Sequence, residues 1–507
     1  MLSEFLARRY KYTNLSTFQK HSLFLRSNSI KMRTQNIIIL GAGESGVGAA
    51  ILAKQKGFEV FVSDLGIIAD PYRAELEKYG IAYEQEKHST AKILAIADLV
   101  IKSPGIPPKT DLVQALADKN IPIIDELEFA FRYKGDAKVV AITGSNGKTT
   151  TTRLVHHLLQ TAGKKAGLVG NVGYSFAKQI ALDPQDIYVV EASSFQLDAC
   201  FEFAPDVAIL LNITPDHLDR YGYELDNYIA SKLRIVQNLR PDQTFIHHHT
   251  DANVARGLSL FFDAQKSRSN FKSVDMEALV SDAELLKVPH TDFVVAKNQL
   301  SASLKGRHNW FNTACAVIAA LELGADPELV QKGVRDFVNE AHRLEYVLSI
   351  HEVDFINDSK ATNVDSVWYA LDAMQKPVVW IVGGVDKGND YSPLFELVKE
   401  KVKAIVCMGR DNQKLREVFT PIQPILEETI SVHEAIKVAT LYAEAGDVVL
   451  LSPACASFDL FKNYRDRGDQ FKRVLREMHQ QIYNPPMIGV EMRINLNPTE
   501  HRSDNIG

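Results

Sequence analysis

The chain has little cysteine: 4 residues in 507, at Cys200, Cys315, Cys407 and Cys455. No two of them form a CxxC pair, which excludes a thiolate metal cage and a disulfide framework and points to a reducing cytosol. It also lacks an excess of positive charge. Lysine and arginine number 57 against 63 acids, a formal net charge of −6. No broad basic face is therefore expected for nucleic acid, and any phosphate-bearing ligand must be captured by local motifs. Long hydrophobic runs are missing too. Val378–Val382 and Val448–Leu451 are of strand length, far short of the roughly 20 apolar residues that span a bilayer. Internal repeats and low-complexity segments are absent. A cytoplasmic monomer that binds neither membrane nor nucleic acid is the expectation.

What is present exceeds one compact core, since this length corresponds to about three domains. Hydrophobic and charged contents of 46% and 24% are ordinary for a globular protein. From Gln35 onward, short β-branched runs alternate with amphipathic stretches, the pattern of α/β units around parallel sheets. Strands are expected at Asn36–Leu40, Glu59–Ser63, Leu99–Ile101, Lys138–Ile142, Ile187–Val190 and Val207–Leu211. A helix is expected over Asn309–Leu323, and further strands at Val353–Ile356, Val378–Val382, Ala404–Cys407 and Val448–Leu451. The stretch Asp242–Leu304 reads as strands and loops. The domain limits so read are 35–126, 127–340 and 341–485, with a tail over 486–507. Residues 1–34 form an extension that is disordered or upstream of the true start. They hold seven basic residues against the single acid Glu4, a composition like that of a transit peptide, but Met32 directly before the first strand is the simpler start.

Gly41-Ala42-Gly43-Glu44-Ser45-Gly46 follows a strand and opens a helix, and Asp64 ends the next strand. This is the dinucleotide fingerprint, in which glycines admit a diphosphate to the free amides of a helix N-terminus. Alone it leaves a nicotinamide cofactor, another nucleotide diphosphate and mere tight packing all open. The second loop, Gly144-Ser145-Asn146-Gly147-Lys148-Thr149-Thr150, is more specific. Its amides can wrap phosphates, Lys148 can reach the β/γ oxygens, and Thr149 can ligate Mg²⁺. The first glycine stands three residues before Gly147 where the usual phosphate loop has five. Glu191 ends a strand, where the ligand crevice of an α/β sheet forms, and is a candidate Mg²⁺ ligand. His217, in Thr214-Pro215-Asp216-His217-Leu218-Asp219-Arg220, is by itself more often a hydrogen-bonded loop histidine. Its place beyond the end of a neighbouring strand favours the metal.

Gly144–Thr150, Glu191-Ala192-Ser193-Ser194-Phe195-Gln196-Leu197, Asp216–Tyr221 and Tyr228-Ile229-Ala230-Ser231-Lys232-Leu233-Arg234, in this order, resemble the Mur ligase family, which adds amino acids to the cell-wall peptide precursor. The resemblance covers nearly all of Gln35–Tyr483. Three segments resemble the D-glutamate-adding branch: Asn357–Asn363, Gly383–Gly388 and Ser452–Tyr464. It implies a Rossmann-like N-terminal domain that binds a UDP-linked substrate, a central ATPase domain and a C-terminal Rossmann-like domain, closing around substrates that meet between them. The implied reaction, in peptidoglycan synthesis and hence cell shape and division, joins D-glutamate to UDP-N-acetylmuramoyl-L-alanine with ATP, through an acyl phosphate.

The resemblance also implies roles. Lys148 would steady the phosphates, Thr149 and Glu191 would hold one Mg²⁺, and His217 would help hold a second. Lys232 would carry a CO₂-derived carbamate, whose negative charge suits Mg²⁺ as an ammonium does not; the residues alone would make it a solvated helix lysine. ATP contacts fall on the phosphate loop, Asn309, Asn312, Arg343 and Asp358. Glu44, Ser45, Gly105, Asn171, Ser193 and His217 face the UDP-linked substrate, so the first glycine loop holds UDP and not NAD. Thr362, Lys387, Ser457, Phe458 and Tyr464 form the D-glutamate pocket, where a cation suits a carboxylate. Trp310 and Phe311 are read as core. Two departures stand out: Leu65-Gly66 replaces Thr-Arg after the strand-two acid, where uracil contacts are expected, and Tyr464 replaces phenylalanine, so its hydroxyl needs a partner. The rival readings are a related amino-acid ligase, an NAD-dependent dehydrogenase and a binding-only sensor.

Overall fold

The computed structural model describes residues 35–261 and 270–483; the expectations for 1–34 and for the tail over 486–507 lie outside the described residues. Three largely parallel sheets organise the chain. The first contains β1 (Asn36–Leu40), β2 (Glu59–Ser63), β3 (Ala82–Glu84), β4 (Leu99–Lys102) and β5 (Ile123–Ile124) in the order β3-β2-β1-β4-β5. Every pairing in it is parallel. β1 reads Asn-Ile-Ile-Ile-Leu and is buried over its last four residues, as a central strand covered on both faces must be. The order reverses between β1 and β4, and the first glycine loop leaves β1 at that switch point.

The helix that follows, Glu44–Gln55, lies against that loop so closely that a Cβ on Gly46 would meet the Gly41 carbonyl oxygen at 1.9 Å. Backbone cannot yield there as a flexible side chain would. Gly46→Ala is therefore expected to destabilise the protein by about 2 kcal/mol or more. Chemical denaturation reads this as a lower midpoint, and an unchanged midpoint would show that the loop moves freely.

The second sheet holds β6 (Lys138–Thr143), β7 (Ala166–Gly170), β8 (Ile187–Glu191), β9 (Val207–Leu210), β10 (Thr244–His248) and β11 (Phe271–Val274), in the order β11-β10-β9-β6-β8-β7. β6 is central, with β8 on one side and β9 on the other, both parallel to it. The helix Arg307–Glu322 is buried along most of its length and packs on the helix Lys148–Thr161. Phe311 is in this core, while Trp310 is half-buried with Lys297 Nζ 4.0 Å above its ring. A small antiparallel pair, β12 (Leu285–Lys287) and β13 (Val294–Ala296), completes the region.

Asp242–Leu304 proves more helical than the strand-and-loop reading. It includes the helices Ala252–Phe261 and Met276–Ser281. The first lays Val254, Gly257, Leu258 and Phe261 on the core, a helical spacing that the strand-and-loop reading passed over.

The third sheet holds β14 (Glu345–Ile350), β15 (Val353–Asn357), β16 (Val378–Val382), β17 (Val402–Met408), β18 (Leu426–Thr429) and β19 (Val448–Leu451), in the order β14-β15-β19-β16-β17-β18. Its core includes Trp380, which donates from Nε1 to the Ser452 carbonyl at 2.8 Å. The chain divides into two compact units, one of residues up to Glu345 with Asn363–Ala373, the other of Tyr346–Thr362 and the residues from Met374. Among the described residues no helix is long and apolar enough to cross a membrane.

Candidate active site

In the first unit, β6 runs into the phosphate loop, whose last three residues open the helix Lys148–Thr161. Gly147 caps that helix at φ 84°, a left-handed conformation suited to glycine. A Cβ there would also lie 2.7 Å from Asn312 Oδ1. Asn212, at the end of β9, fastens the loop. Its carbonyl accepts from Ser145 N at 2.9 Å and its Oδ1 from Asn146 N at 2.8 Å, while its Nδ2 donates to the Asn146 carbonyl at 3.1 Å. Ser145 Oγ donates to the Thr214 carbonyl at 2.8 Å. Asn146 Oδ1 accepts from Ser366 Oγ at 3.0 Å and Asn363 Nδ2 at 3.3 Å, and Thr150 Oγ1 accepts from Asn339 Nδ2 at 3.2 Å.

Two lysines converge on one carbonyl. Lys148 Nζ donates to Gly144 O and Ser145 O, each at 2.7 Å, and Lys232 Nζ donates to the same Gly144 O at 2.7 Å. Lys232, on the helix Leu225–Leu233, is 1% exposed, which overturns its reading as a solvated helix residue. Burial, and then the charge of Lys148, hold its pKa well below the ordinary lysine value. Burial also lowers the pKa of Lys148, against the pull of Glu191 and Asp216.

Glu191 closes β8 opposite Ile142 of β6, next to the phosphate loop. It is buried; Oε1 accepts from Asn171 Nδ2 at 2.7 Å, and Oε2 has no hydrogen-bond partner. A buried carboxylate oxygen left unmatched carries a desolvation cost that a cation would relieve. Thr149 is buried in the first helical turn, next to Lys148 in sequence. With Glu191, it suits a hard cation that prefers oxygen ligands. Ser193 caps the short helix Ser194–Leu197 through a reciprocal capping box with Gln196. His217 stands at φ 52° before a 3₁₀ turn, its ring 5.2 Å from that of Phe195 and its Nε2 3.6 Å from Asp216 Oδ2. Among the described residues no three His, Cys, Asp or Glu side chains form a metal cluster.

Around the first glycine loop, Asp64 bonds Ala42 N at 2.6 Å and Gly66 N at 2.7 Å, so its carboxylate ties the two loops of that sheet end together. Leu65, in the departing position, is 69% exposed. Glu44 meets Lys178 Nζ and Ser175 N, each at 3.4 Å, and Ser45 is half-buried. The Gly105 loop is gripped by two cations that sequence reasoning missed. Lys102 Nζ donates to Ser103 O at 3.0 Å and Ile106 O at 2.8 Å. Arg220 donates to Pro104 O at 3.0 Å and Gly105 O at 3.2 Å, its guanidinium 4.4 Å from the Phe195 ring centre. Burial lowers the Lys102 pKa to about 8.

Among the residues expected to contact ATP, Asn312 Nδ2 donates to Asn309 Oδ1 at 3.3 Å, and Asn309 Nδ2 donates to Lys305 O at 3.0 Å. Arg343 Nε is buried without a partner. Burial and then the Arg343 charge push His308 down to about 3.

In the second unit, Asp358 Oδ2 accepts from Ser452 Oγ at 2.9 Å. Its candidate pocket residues differ in exposure: Ser457 is buried, Thr362 and Tyr464 are half-buried, Lys387 is exposed and Phe458 is 73% exposed. The Tyr464 hydroxyl finds its partner in Arg465 Nε at 3.2 Å. Asp386 shapes the Lys387 loop by accepting from Gly388 N at 2.6 Å and Tyr391 OH at 2.7 Å.

Three family models match: MurD N-terminal domain over residues 36–112, Mur ligase middle domain over 142–320, and Mur ligase, glutamate ligase domain over 342–455. A protein of Cytophaga hutchinsonii named UDP-N-acetylmuramoylalanine--D-glutamate ligase is 50% identical over 448 residues, 88% of this chain and 99% of its own. One of the same name from Bacteroides fragilis is 47% identical over 451 residues, 88% of this chain and 100% of its own. Among solved structures, MurF from Acinetobacter baumannii has a TM-score of 0.57 at 18% identity, covering 88% of this chain and 93% of that one, a likeness of fold. By these matches the chain belongs to the Mur ligase family.

Proposed function

We propose that the protein is the ATP-dependent ligase that joins D-glutamate to UDP-N-acetylmuramoyl-L-alanine in peptidoglycan synthesis. The observation that carries this is the convergence of Lys148 and Lys232 on the Gly144 carbonyl, beside a buried Glu191 with an unpartnered oxygen. The shared name of relatives 46–50% identical to the chain supports D-glutamate as the amino acid. Residues 35–126 would bind the UDP-linked substrate, 127–340 ATP and 341–485 the amino acid. Free, buried cysteines suit a reducing cytoplasm, and a monomer is the proposed state.

The proposed reaction has two steps. A carboxylate oxygen of the alanyl end attacks the γ-phosphorus of ATP, and ADP leaves. The D-glutamate nitrogen then attacks the acyl carbon, loses a proton, and phosphate departs with the former carboxylate oxygen. Such a transfer is mainly positioning and charge stabilisation. The amides after Gly147 cradle the phosphates, and Lys148 exchanges its carbonyl partners for phosphate oxygens. Glu191 and Thr149 would hold Mg²⁺, with His217 assisting at a second ion; bound Mg²⁺ neutralises phosphate charge. A carbamate on buried Lys232 would turn its repulsion of the half-buried Lys148 into attraction. Asn309, Asn312, Arg343 and Asp358 would orient ATP. Glu44, Ser45, Gly105, Asn171 and Ser193 would orient the UDP-linked substrate. Thr362, Lys387, Ser457, Phe458 and Tyr464 would hold D-glutamate.

An amino-acid panel tests the proposal. With ATP, Mg²⁺ and UDP-N-acetylmuramoyl-L-alanine, ADP release should depend on D-glutamate and be about 100-fold slower with L-glutamate or L-alanine. Equal turnover with either would assign the chain to a different amino-acid ligase. Nicotinamide binding without ATP turnover would refute ligation altogether.

A further inference from the structure

The second unit buries one cation that no proposed step uses. Arg467, near the start of the helix Tyr464–Tyr483, is 1% exposed. Its partners are all neutral oxygens. Nε donates to Ser359 Oγ and Nη2 to Ser359 O, each at 2.9 Å, and the remaining donors reach Gly383 O and Cys455 O at 3.4 Å. Among the described residues no carboxylate is in ion-pair contact with it; Asp358 and Asp459 act on it only at longer range. Burying a guanidinium without a counter-ion is unfavourable unless something else is gained.

The gain is visible in what the partners belong to. Ser359 lies three residues before Thr362, Gly383 four before Lys387, and Cys455 two before Ser457. Ser359 Oγ, while accepting from Arg467, donates to the Tyr464 carbonyl at 2.8 Å. One planar fork therefore ties together the loops that carry Thr362, Lys387, Ser457 and Tyr464. The loops also hold one another: Val385 and Ala456 exchange backbone hydrogen bonds at 2.8 and 3.2 Å, and Ala454 N donates to Ala361 O at 3.0 Å. A lysine could not reproduce the fork, having one nitrogen where Arg467 offers a planar set of donors.

We propose that Arg467 is the positioning residue of the amino-acid pocket, and that its charge, held in no direct ion pair, draws the carboxylates of an acidic amino acid into it. The inference rests on the proposed D-glutamate pocket. In a protein interior that excludes water, such a charge acts over a longer distance than on the surface. Arg467 does not touch the substrate. It sets the loops and supplies the field.

Steady-state kinetics on the full chain test this. Arg467→Met should raise the KM for D-glutamate about tenfold or more, while the KM values for ATP and UDP-N-acetylmuramoyl-L-alanine stay within about twofold. Arg467→Lys, keeping the charge without the fork, should fall between the variant and the parent. Discrimination separates field from mere folding: Arg467→Met should narrow the preference for D-glutamate over D-glutamine, which lacks the side-chain charge. If Arg467→Met does not fold, Arg467→Lys carries the same measurements. Uniform loss across all three substrates, or an unchanged KM for D-glutamate, overturns the inference. The parent protein tells the two failures apart, because its use of D-glutamate with a normal response in the variants refutes only the role of Arg467.

Discussion

Lys232→Ala is expected to lower kcat/KM by about 1,000-fold or more, with partial recovery on adding a short carboxylic acid such as acetate or formate. The expectation follows from where the amine lies. Its Nζ shares the Gly144 carbonyl with Lys148 Nζ, both at 2.7 Å, inside a buried site. Two ammonium groups so placed repel one another and any nearby Mg²⁺. A carbamate on one of them reverses the sign and adds oxygen ligands. An acid supplied from solution can replace that negative charge only if the role is electrostatic. The fold should survive, because Lys148 still satisfies the Gly144 carbonyl. ADP release with and without acetate, beside a thermal melt, measures both points. Full activity in the variant would refute the role, and loss with no rescue by either acid would assign Lys232 to the ammonium form.

The second large effect is expected at Glu191. Glu191→Gln should lower kcat by about 100-fold or more and shift the Mg²⁺ dependence to higher concentration. Its stability should be unchanged or raised, since the carboxylate is buried with one oxygen bonded to Asn171 and the other unpartnered. Burying a neutral amide in its place removes a desolvation penalty. A structural acid would behave in the opposite way, losing stability and keeping its metal response. Titration of activity against Mg²⁺, together with a denaturation midpoint, distinguishes the two.

Much of this arrangement is legible in the sequence because it rests on local pattern. β1, β2 and β16 occupy the spans that their branched runs announce. The glycine loops lie where strand, glycines and helix start coincide. β7 escapes notice because Ala166-Gly167-Leu168-Val169-Gly170 carries two glycines, and β5 because it is two residues long. Burial of Lys232 could not be read from its neighbours; it comes from the fold laid over the helix. The same holds for Asn212, Lys102, Arg220 and Arg467. Asn212, Arg220 and Arg467 find their partners, mainly backbone atoms, far away in sequence, while Lys102 turns back on the carbonyls of Ser103 and Ile106; a carbonyl leaves no signature in the residue that presents it. The replacement at Leu65-Gly66 was legible, and the structure gives it a form: Gly66 donates its amide to Asp64, and Leu65 is left exposed.

The most direct test of the central claim follows an atom. UDP-N-acetylmuramoyl-L-alanine labelled with heavy oxygen in its terminal carboxylate is incubated with ATP, Mg²⁺, D-glutamate and the protein, and the released phosphate is analysed by mass spectrometry. Acyl-phosphate ligation predicts that one labelled oxygen of each reacting carboxylate appears in phosphate and the other stays in the new amide. Phosphate without label, released in step with ADP, would contradict it.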